Sequence, residues 1–346
     1  MWAIANETLY AADRAFVRDR DGAEIWIVAV RATFAIRPDG QVEVAKEQLP
    51  VALAPAWSGE PGRSSLRWDM DLVRTKPGTD VIVNGSAHAP GGKPMTQIEV
   101  GITVGPITKV LLVKGERQYV GSLLGASSGD PAPFVTMPIC YERAYGGQIF
   151  AAKTQRLHSQ VDTNPIGCGL RKTASDRCPN VEHPPHLGRA QIPAGFGAVP
   201  ANWQPRVSCA GTYDKNWEQT RQPLVPADFS DDYFYSAPTD QRVPGHLRGG
   251  EAVALFNLSS ESVLRFTLPR VRLGFRTSIA GGTKHHRATL HSVILEPTDR
   301  RLIMVWHTAL PCHHTLYTLK RTTVYEKEWT ASDGLEPADE AAGARS

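Results

Sequence analysis

Alternating apolar and polar residues along the first third of the chain predict β-strands. In residues 66–73 and again in residues 97–104, apolar side chains occupy every second position, which is the period of a strand with one buried face. The second run leads through a Gly-Pro break into residues 107–113 and so predicts a hairpin. Residues 24–36 are apolar on both faces, which predicts a central strand of a sheet.

The same alternation returns in the last third of the chain. Residues 264–268 and 271–275 alternate, and residues 289–295 and 302–307 flank a Glu-Pro-Thr-Asp-Arg sequence that is typical of a hairpin turn. Residues 315–325 are the last predicted strand. This part of the chain therefore predicts a second set of paired strands.

The middle of the chain has little periodicity and is rich in Pro, Gly, Asn and aromatic residues. It predicts elaborated loops with short helical turns at residues 212–219 and 226–235, each opened by residues that favour helix caps. We therefore predict a mainly β protein with two sandwich-like β-sheet units. The predicted parts are an N-terminal β unit in 1–140, an irregular, loop-rich middle in 141–250 packed on the β units, a C-terminal β unit in 251–327, and a disordered acidic tail in 328–346.

Composition agrees with many turns and short strands. The 346 residues include 30 Gly and 26 Pro, and 41% are hydrophobic. The five cysteines are irregularly spaced and odd in number, so a disulfide framework is not expected. The first residues lack the features of a signal peptide, and no apolar stretch approaches the ~20 residues that cross a bilayer. We expect a cytoplasmic protein that does not enter a membrane.

Charge is unevenly distributed along the chain. The formal net charge of +3 is too small to indicate a nucleic-acid partner. Residues 265–327, however, contain eleven Lys or Arg and three acidic residues, and residues 328–346 contain five acidic residues and one Arg. Arg270, Arg272 and Arg276 alternate with apolar residues, so they are predicted to lie off the core. This pattern indicates either a solvated basic face or a surface for an acidic partner.

Two features of the sequence bear on catalytic chemistry. Residues 125–129 read Gly-Ala-Ser-Ser-Gly, but the Asp-Pro-Ala-Pro that follows forbids the helix a nucleophile elbow needs, so a loop is predicted. Strand pairing across the 297–300 turn would bring His291 near His307. The late histidines lack the spacing of a zinc ligand set, so we predict no metal and no cofactor at His285, His286, His291, His307, His313 and His314.

Ten unusual strings follow one another along the chain. They are GEPGRSSL at 59–66, KPGTDV at 76–81, NG at 84–85, APGG at 89–92, YERAYGG at 141–147, NPIG at 164–167, PAGFG at 193–197, GTYD at 211–214, APTDQ at 237–241 and LRGGE at 247–251. Together these strings resemble a bacterial family long filed as a domain of unknown function, whose members are encoded in type VI secretion gene clusters. The resemblance extends from about residue 9 to residue 325.

The resemblance implies an adaptor or chaperone, not an enzyme. Such a protein would bind a cognate toxic effector and help load it onto the secretion spike or its tip. The alternative is a hydrolase, metal-assisted through the late histidines or of the serine type. No catalytic residues carry over. The residues predicted to contact a partner are Arg63, Lys76, Asp80, Tyr141, Glu142, Arg143, Tyr145, Arg270 and Arg272.

Charge pairing within these strings is also predicted from the sequence. Arg63 is expected to form an ion pair with Asp69 or Asp80, and Glu142 with Arg143. These would be short-range charge contacts and turns at the ends of strands. Asp69 and Asp71 share a parity along the predicted 66–73 strand, so their carboxylates are expected on one solvated face.

Overall fold

Short strands dominate the chain, and a computed structural model describes residues 2–122, 125–312 and 316–327. The strands are β1 (Ala3–Asn6), β2 (Ala11–Arg18), β3 (Glu24–Ile36), β4 (Val42–Val44), β5 (Ala56–Trp57), β6 (Leu66–Trp68), β7 (Gly78–Val83), β8 (Gly85–His88), β9 (Gln97–Val104), β10 (Ile107–Lys114), β11 (Tyr119–Ser122), β12 (Gly125–Ser128), β13 (Thr136–Ile139), β14 (Tyr145–Gly146), β15 (Gln148–Phe150), β16 (Leu157–Gln160), β17 (Cys168–Gly169), β18 (Val181–Glu182), β19 (Arg242–Pro244), β20 (Ala252–Phe256), β21 (Val263–Thr267), β22 (Leu273–Ile279), β23 (Gly282–Arg287), β24 (Thr289–Glu296), β25 (Arg301–Pro311) and β26 (Arg321–Glu326). The α-helix α1 spans Lys215–Thr220, and 3-10 turns occupy Pro90–Gly92, Tyr141–Arg143, Pro185–Leu187, Arg206–Ala210, Asp231–Phe234, Thr239–Gln241 and Leu316–Thr318. This confirms the predicted mainly β class.

The largest sheet has seven strands in the order β19-β7-β24-β25-β3-β2, with β4 paired to β3. Strand β3 lies between β25 and β2 and pairs with β25 along eleven residues, from Arg301 opposite Ala35 to Pro311 opposite Ile25. Most of its side chains are buried on both faces. The apolar run at residues 24–36 is therefore a central strand, as predicted.

A five-stranded sheet, β18-β10-β9-β20-β21, faces the largest sheet. Its inner side chains, such as Val100 and Leu255, belong to the same hydrophobic cluster as Val30 and Phe34 of β3. The predicted hairpin at residues 97–113 is confirmed, because β9 and β10 pair in register across the Gly-Pro break. Two sheets sharing one core make the centre of the molecule sandwich-like.

A four-stranded sheet, β1-β26-β22-β23, closes one side of this core. Strand β1 runs parallel to β26, and β26 pairs antiparallel with β22. Leu273, Phe275 and Val324 point from this sheet into the shared hydrophobic cluster. The alternation read from residues 271–275 thus describes a strand with one buried and one outer face.

The first and last thirds of the chain share their sheets instead of forming separate units. Strand β3 pairs with β25, β7 pairs with β24, and β9 pairs with β20. This differs from the division into an N-terminal and a C-terminal β unit expected from the sequence. The physical reason is that β3 and β24, buried on both faces, need hydrogen-bonding neighbours on both edges as well. For each strand, one of these two neighbours comes from the other end of the chain.

The strand predicted at residues 66–73 is wrong beyond its third residue. Only β6 forms, because the carboxylate of Asp71 turns inward: it accepts a hydrogen bond from the Ala52 N–H at 2.8 Å and binds buried Arg31 at 2.8 Å. The loop predicted at residues 125–129 is wrong as well, since β12 pairs with β11. No helix follows this strand in the described residues, so the context of a nucleophile elbow is missing.

The loop-rich middle contains the two helical turns that capping residues predicted. Asp214 caps α1 by accepting the Trp217 N–H at 2.9 Å, and Ser230 caps the 3-10 turn by accepting the Asp232 N–H at 3.3 Å. The predicted hairpin around the 297–300 turn is also confirmed by β24 and β25. Among the described residues, no helix has the length and apolar character needed to cross a bilayer.

Candidate functional site

Loop 59–66 and segment 141–147 are bound together by one carboxylate. Glu142 accepts the backbone N–H of Ser65 at 2.8 Å through one oxygen and the Ser65 hydroxyl at 2.5 Å through the other. The Ser65 hydroxyl oxygen in turn accepts the N–H of Tyr141 at 2.9 Å. Both segments are strings of the sequence resemblance, and each supplies the other's hydrogen-bond partners.

The string at residues 164–167 docks on the same segment. The Asn164 side-chain amide donates to the carbonyl of Tyr141 at 2.8 Å and to that of Tyr145 at 2.9 Å. At Gly167, a Cβ atom would lie 2.4 Å from Asn164 Nδ2 and 2.7 Å from the Ala144 carbonyl oxygen. Glycine is therefore required there by close backbone approach.

The ring of Tyr141 joins a fourth string, residues 193–197, to this assembly. Its hydroxyl donates to the Gly197 carbonyl at 3.1 Å, and a Cβ atom at Gly195 would lie 3.0 Å from the ring. Trp203 packs against the ring edge-to-face, with 5.5 Å between centroids. Burial raises the pKa of Tyr141 well above its usual range. The phenol therefore stays neutral, and its role is to hold the 193–197 string and Trp203 in place.

An open polar cleft of about 630 Å³ lies on the outer side of this assembly. One wall is a ladder of side chains in which Gln148 donates to Gln160 at 3.0 Å and Gln160 donates to Asp162 at 2.6 Å. Arg63 stands at the rim with 79% of its side chain exposed. The wall therefore offers amide donors and acceptors, one anion and one cation.

The rest of the cleft lining comes from two other segments. Asn202 and Gln204 add two amides, and Gln204 is held in place by its backbone N–H, which donates to the Asp162 carbonyl at 3.0 Å. Ile166 and Val207 supply apolar surface, and the Val207 side chain is exposed. An amide can donate and accept at once, so this lining suits a ligand with alternating peptide N–H and C=O groups.

A second group of strings meets at a buried ion pair. The Lys76 ammonium donates to the carboxylate of Asp80 at 2.6 Å and to the hydroxyl of Ser292 at 3.0 Å. Asp80 also accepts the backbone N–H groups of Ser236 at 2.8 Å and Ala237 at 3.1 Å. The pair joins β7 to the 237–241 string from the inside of the protein.

The structure places the residues predicted to contact a partner at three depths. Arg63 and Arg270 are exposed, Glu142, Arg143, Tyr145 and Arg272 are half-buried, and Lys76, Asp80 and Tyr141 are buried. The buried side chains shape the surface from beneath. The exposed and half-buried ones stay predictions as partner contacts.

The pairing predicted for Arg63 is wrong. Arg63 lies 3.6 Å from Glu60, three residues earlier. Asp69 instead binds the buried guanidinium of Arg206 at 2.8 Å, and Asp80 binds its lysine. A tight turn holds Arg63 at the surface, whereas the two aspartates turn inward to buried cations.

The pairing predicted between Glu142 and Arg143 is also wrong. These neighbours diverge, because Glu142 turns toward Ser65 while Arg143 binds the carboxylate of Glu116 at 2.5 Å and the side-chain oxygen of Asn180 at 3.0 Å. Adjacent residues of the 3-10 turn at Tyr141–Arg143 point in different directions, so the two charges serve different contacts.

Three histidines stack in the interior beside the buried ion pair. The rings of His291 and His307 lie 4.4 Å apart, as strand pairing predicted, and His246 stacks on His291 at 5.6 Å. Burial lowers the pKa of His307 to about 4 and lowers that of His291 well below its usual range, and the Lys76 ammonium adds to both shifts. The stack is therefore uncharged near neutral pH. His246 was not singled out from the sequence, because nothing local places it near the late strands.

The remaining late histidines are dispersed. His286 hydrogen-bonds to Thr277 and Thr308 at 2.7 Å each, and burial lowers its pKa to about 4, while His285 points outward and is exposed. His313 and His314 lie outside the described residues. Within the described ranges, no group of three or more His, Cys, Asp or Glu residues is arranged to hold a metal ion.

Comparison with known proteins identifies a family. Residues 21–307 match the family described as "Uncharacterized protein conserved in bacteria (DUF2169)". No curated protein and no solved structure matches the chain. The matched residues include all ten strings and the cleft beside them, and the family description says nothing about secretion. Because the match covers most of the chain, the protein belongs to the DUF2169 family of conserved bacterial proteins.

Proposed function

We propose that this protein is an accessory adaptor of the type VI secretion system. It binds a cognate toxic effector before firing and helps to load the effector onto the spike or its tip. The observation that carries the proposal is the convergence of four distant strings on one rigid assembly beside an open, amide-lined cleft. That arrangement is suited to holding a polypeptide.

The strings bind one another, which explains why they are unusual without being catalytic. Polar side-chain groups of three residues form hydrogen bonds with neighbouring backbone: those of Glu142, Asn164 and Tyr141. Gly167 allows the segments to approach closely. A wall built in this way is preorganised, so little ordering entropy is lost when a partner binds. The side chains that remain available lie on the outer surface, at the cleft.

In this proposal the ligand of the cleft is an extended segment of the effector. The Gln148, Gln160 and Gln204 amides pair with its backbone, and the apolar surface of Ile166 and Val207 accepts a small side chain. Peptide recognition of this kind takes affinity from main-chain hydrogen bonds and specificity from side-chain pockets. Arg63 at the rim favours an acidic residue in the segment.

The other half-buried and exposed residues predicted to contact a partner do not line the cleft. Arg143 neighbours Glu116 and Asn180, and Arg270 packs over Gly250, where an added Cβ atom would lie 2.3 Å from Arg270 Nε. We assign Arg143, Tyr145, Arg270 and Arg272 to contacts with the larger body of the effector or with the spike. Rim charges of this kind mainly set association rates.

Co-purification tests the proposal. The tagged chain is co-expressed with the toxin and spike proteins encoded next to it, and we expect a complex and a higher soluble yield of the toxin. Gln148→Ala combined with Gln160→Ala should weaken the complex about 10-fold or more, since each net hydrogen bond contributes ~1 kcal/mol. Gln219→Ala, an exposed glutamine on α1, is the matched control. Failure to recover either partner in mild salt contradicts the adaptor role.

A further inference from the structure

The outer face of the four-stranded sheet β1-β26-β22-β23 carries a cluster of cations. We call it the basic face, and it consists of Arg276, His285, Arg287 and Arg321. All four side chains are exposed. Successive side chains of a strand point to opposite faces of the sheet. Phe275 and Val324 face the core, so the four cationic residues at the alternate positions share the outer face.

The strand register brings these side chains together. Arg276 lies opposite His285 on β23, Arg287 lies opposite Gly274 on β22, and Arg321 lies opposite Ser278 on β22. Neighbouring strands are ~5 Å apart and same-face residues of one strand ~7 Å apart. The three arginines therefore follow a diagonal across the sheet, each within reach of the next.

A flat aromatic surface lies in the middle of the basic face. Gly274 has no side chain, and the Tyr325 ring covers it, since an added Cβ atom would lie 2.5 Å from Tyr325 Cζ. The Arg276 guanidinium lies over the same ring at 5.8 Å from its centroid. The contact holds the exposed Arg276 side chain beside the tyrosine ring on the surface of the sheet.

The described residues provide no counter-charge for this face. Arg276, Arg287 and Arg321 form no ion pair with any residue in the described ranges. Of the nearby acids, Glu326 is on the inner side, where it accepts a hydrogen bond from Tyr10 at 3.2 Å, and Glu7 follows β1 at the far edge of the sheet. Clustered like charges on one sheet face repel each other, so an anionic occupant would stabilise them.

We propose that the basic face is occupied in the free protein by the chain's own acidic segment, residues 328–346. This segment carries five acidic residues and one arginine. It follows directly from β26, a central strand of the same sheet, whose extension is held by the Lys327 N–H donating to the Arg272 carbonyl at 2.8 Å. Nineteen residues can span up to ~60 Å when extended, whereas the four strands are ~15 Å across.

Self-occupation has a consequence for binding. A tethered segment acts at an effective concentration of ~1 mM. If the free segment binds with a dissociation constant near ~0.1 mM, tethering weakens the binding of any competing acidic ligand about 10-fold. The basic face is then a docking surface that opens only to an acidic partner able to displace the segment. This inference does not depend on the adaptor role or on the cleft.

The test uses the full chain and a fluorescein-labelled peptide of residues 328–346 as the probe. In one variant the acidic residues become amides: Glu328→Gln, Asp333→Asn, Glu336→Gln, Asp339→Asn and Glu340→Gln. We expect this variant to bind the peptide about 10-fold more tightly than the wild type, and the binding to vanish in ~0.5 M salt because the attraction is screened.

A second pair of substitutions tests the face itself. Arg276→Glu with Arg287→Glu, made in the neutralised variant, should abolish peptide binding. The milder Arg276→Gln with Arg287→Gln should weaken peptide binding, and it takes the place of the charge reversal where the reversal unfolds the sheet. Lys153→Glu with Arg156→Glu, on the exposed β15–β16 turn, should leave binding unchanged. Equal peptide affinity for wild type and neutralised variant overturns the proposal. Three other results would also overturn it: an unchanged peptide affinity after the arginine substitutions, dimerisation of the neutralised variant, or a preference for duplex DNA over the peptide.

Discussion

Ser65 and Glu142, 77 residues apart in the sequence, are joined by two hydrogen bonds to the same carboxylate. Ser65 donates both its backbone N–H and its hydroxyl, and the serine oxygen also accepts the N–H of Tyr141. The pair therefore fixes loop 59–66, including Arg63 at the rim, against segment 141–147, on which the 164–167 string that lines the cleft is docked. Its loss should loosen the rim of the cleft as well as the fold.

Replacing Glu142 should destabilise the protein. Glu142→Ala removes a charged acceptor and leaves the Ser65 donors unpaired, so we expect the free energy of unfolding to fall by ~2–4 kcal/mol. Glu142→Gln keeps one acceptor oxygen and should cost less. Urea unfolding monitored by tryptophan fluorescence measures both, with the exposed Glu47→Ala as control. Equal stability of Glu142→Ala and wild type would show that the carboxylate does not join the two segments.

Close backbone packing at Gly167 should be equally sensitive. Gly167→Ala places a methyl group 2.4 Å from Asn164 Nδ2 and 2.7 Å from the Ala144 carbonyl oxygen, so the 164–167 string must move away from its seat. We expect a loss of ~2–3 kcal/mol in unfolding free energy and weaker effector capture, because Ile166 lines the cleft. Gly121→Ala meets its nearest atom at an ordinary 3.6 Å and is the matched control. Similar melting temperatures for the two variants would contradict this account.

Acid should destabilise the protein through its buried histidines. Burial lowers the pKa of His307 and of His286 to about 4, below the usual 6.5. The unfolded chain then binds more protons than the folded one between about pH 6.5 and pH 4, so stability falls as pH falls through this window, by up to ~3 kcal/mol per histidine. His307→Gln should show a shallower fall than wild type, and the exposed His285→Gln should parallel the wild type. Parallel profiles for all three would refute the assignment.

Strands and hairpins could be predicted from the sequence because their signal is local. The alternation in β9 and the apolar run of β3 depend only on neighbouring residues and on burial. The pairing of β3 with β25, across almost the full length of the chain, has no such signal. Single-sequence periodicity says that a strand needs partners and does not say which ones, so the interleaving of the two ends was missed.

Candidate site residues could be found only in part for the same reason. The strings indicate Tyr141, Glu142 and Arg63, but a single sequence suggests only those charge partners that lie nearby along the chain. Asp71 shows why this fails: it shares a parity with Asp69 in sequence, but a buried arginine forty residues away captures its carboxylate. The cleft amides Gln148 and Gln160 carry no sequence signal at all, since an exposed glutamine is ordinary anywhere.

Lys76 and Asp80 form the buried ion pair on which the second group of strings depends. The two side chains are 5% and 0% exposed, and their charged atoms are 2.6 Å apart. The two groups are unequally supported. Asp80 also accepts two backbone N–H groups and the Ser236 hydroxyl, whereas among the described residues Lys76 has only the Ser292 hydroxyl as a further partner. Removing one partner of a buried pair leaves a charge that nothing compensates.

A double-mutant cycle on this pair should show both the coupling and the asymmetry. We expect Lys76→Met to cost ~3 kcal/mol, since the carboxylate keeps its other donors, and Asp80→Ala to cost ~5 kcal/mol or more, since it strands an ammonium and several donors. Lys76→Met with Asp80→Ala should cost less than the sum of the two single substitutions, because no unpaired charge remains. The control removes the exposed ion pair between Arg37 and Glu43 by Arg37→Met with Glu43→Gln. This change should leave the free energy of unfolding nearly unchanged. Strictly additive losses at Lys76 and Asp80 would show that the two groups do not interact in solution.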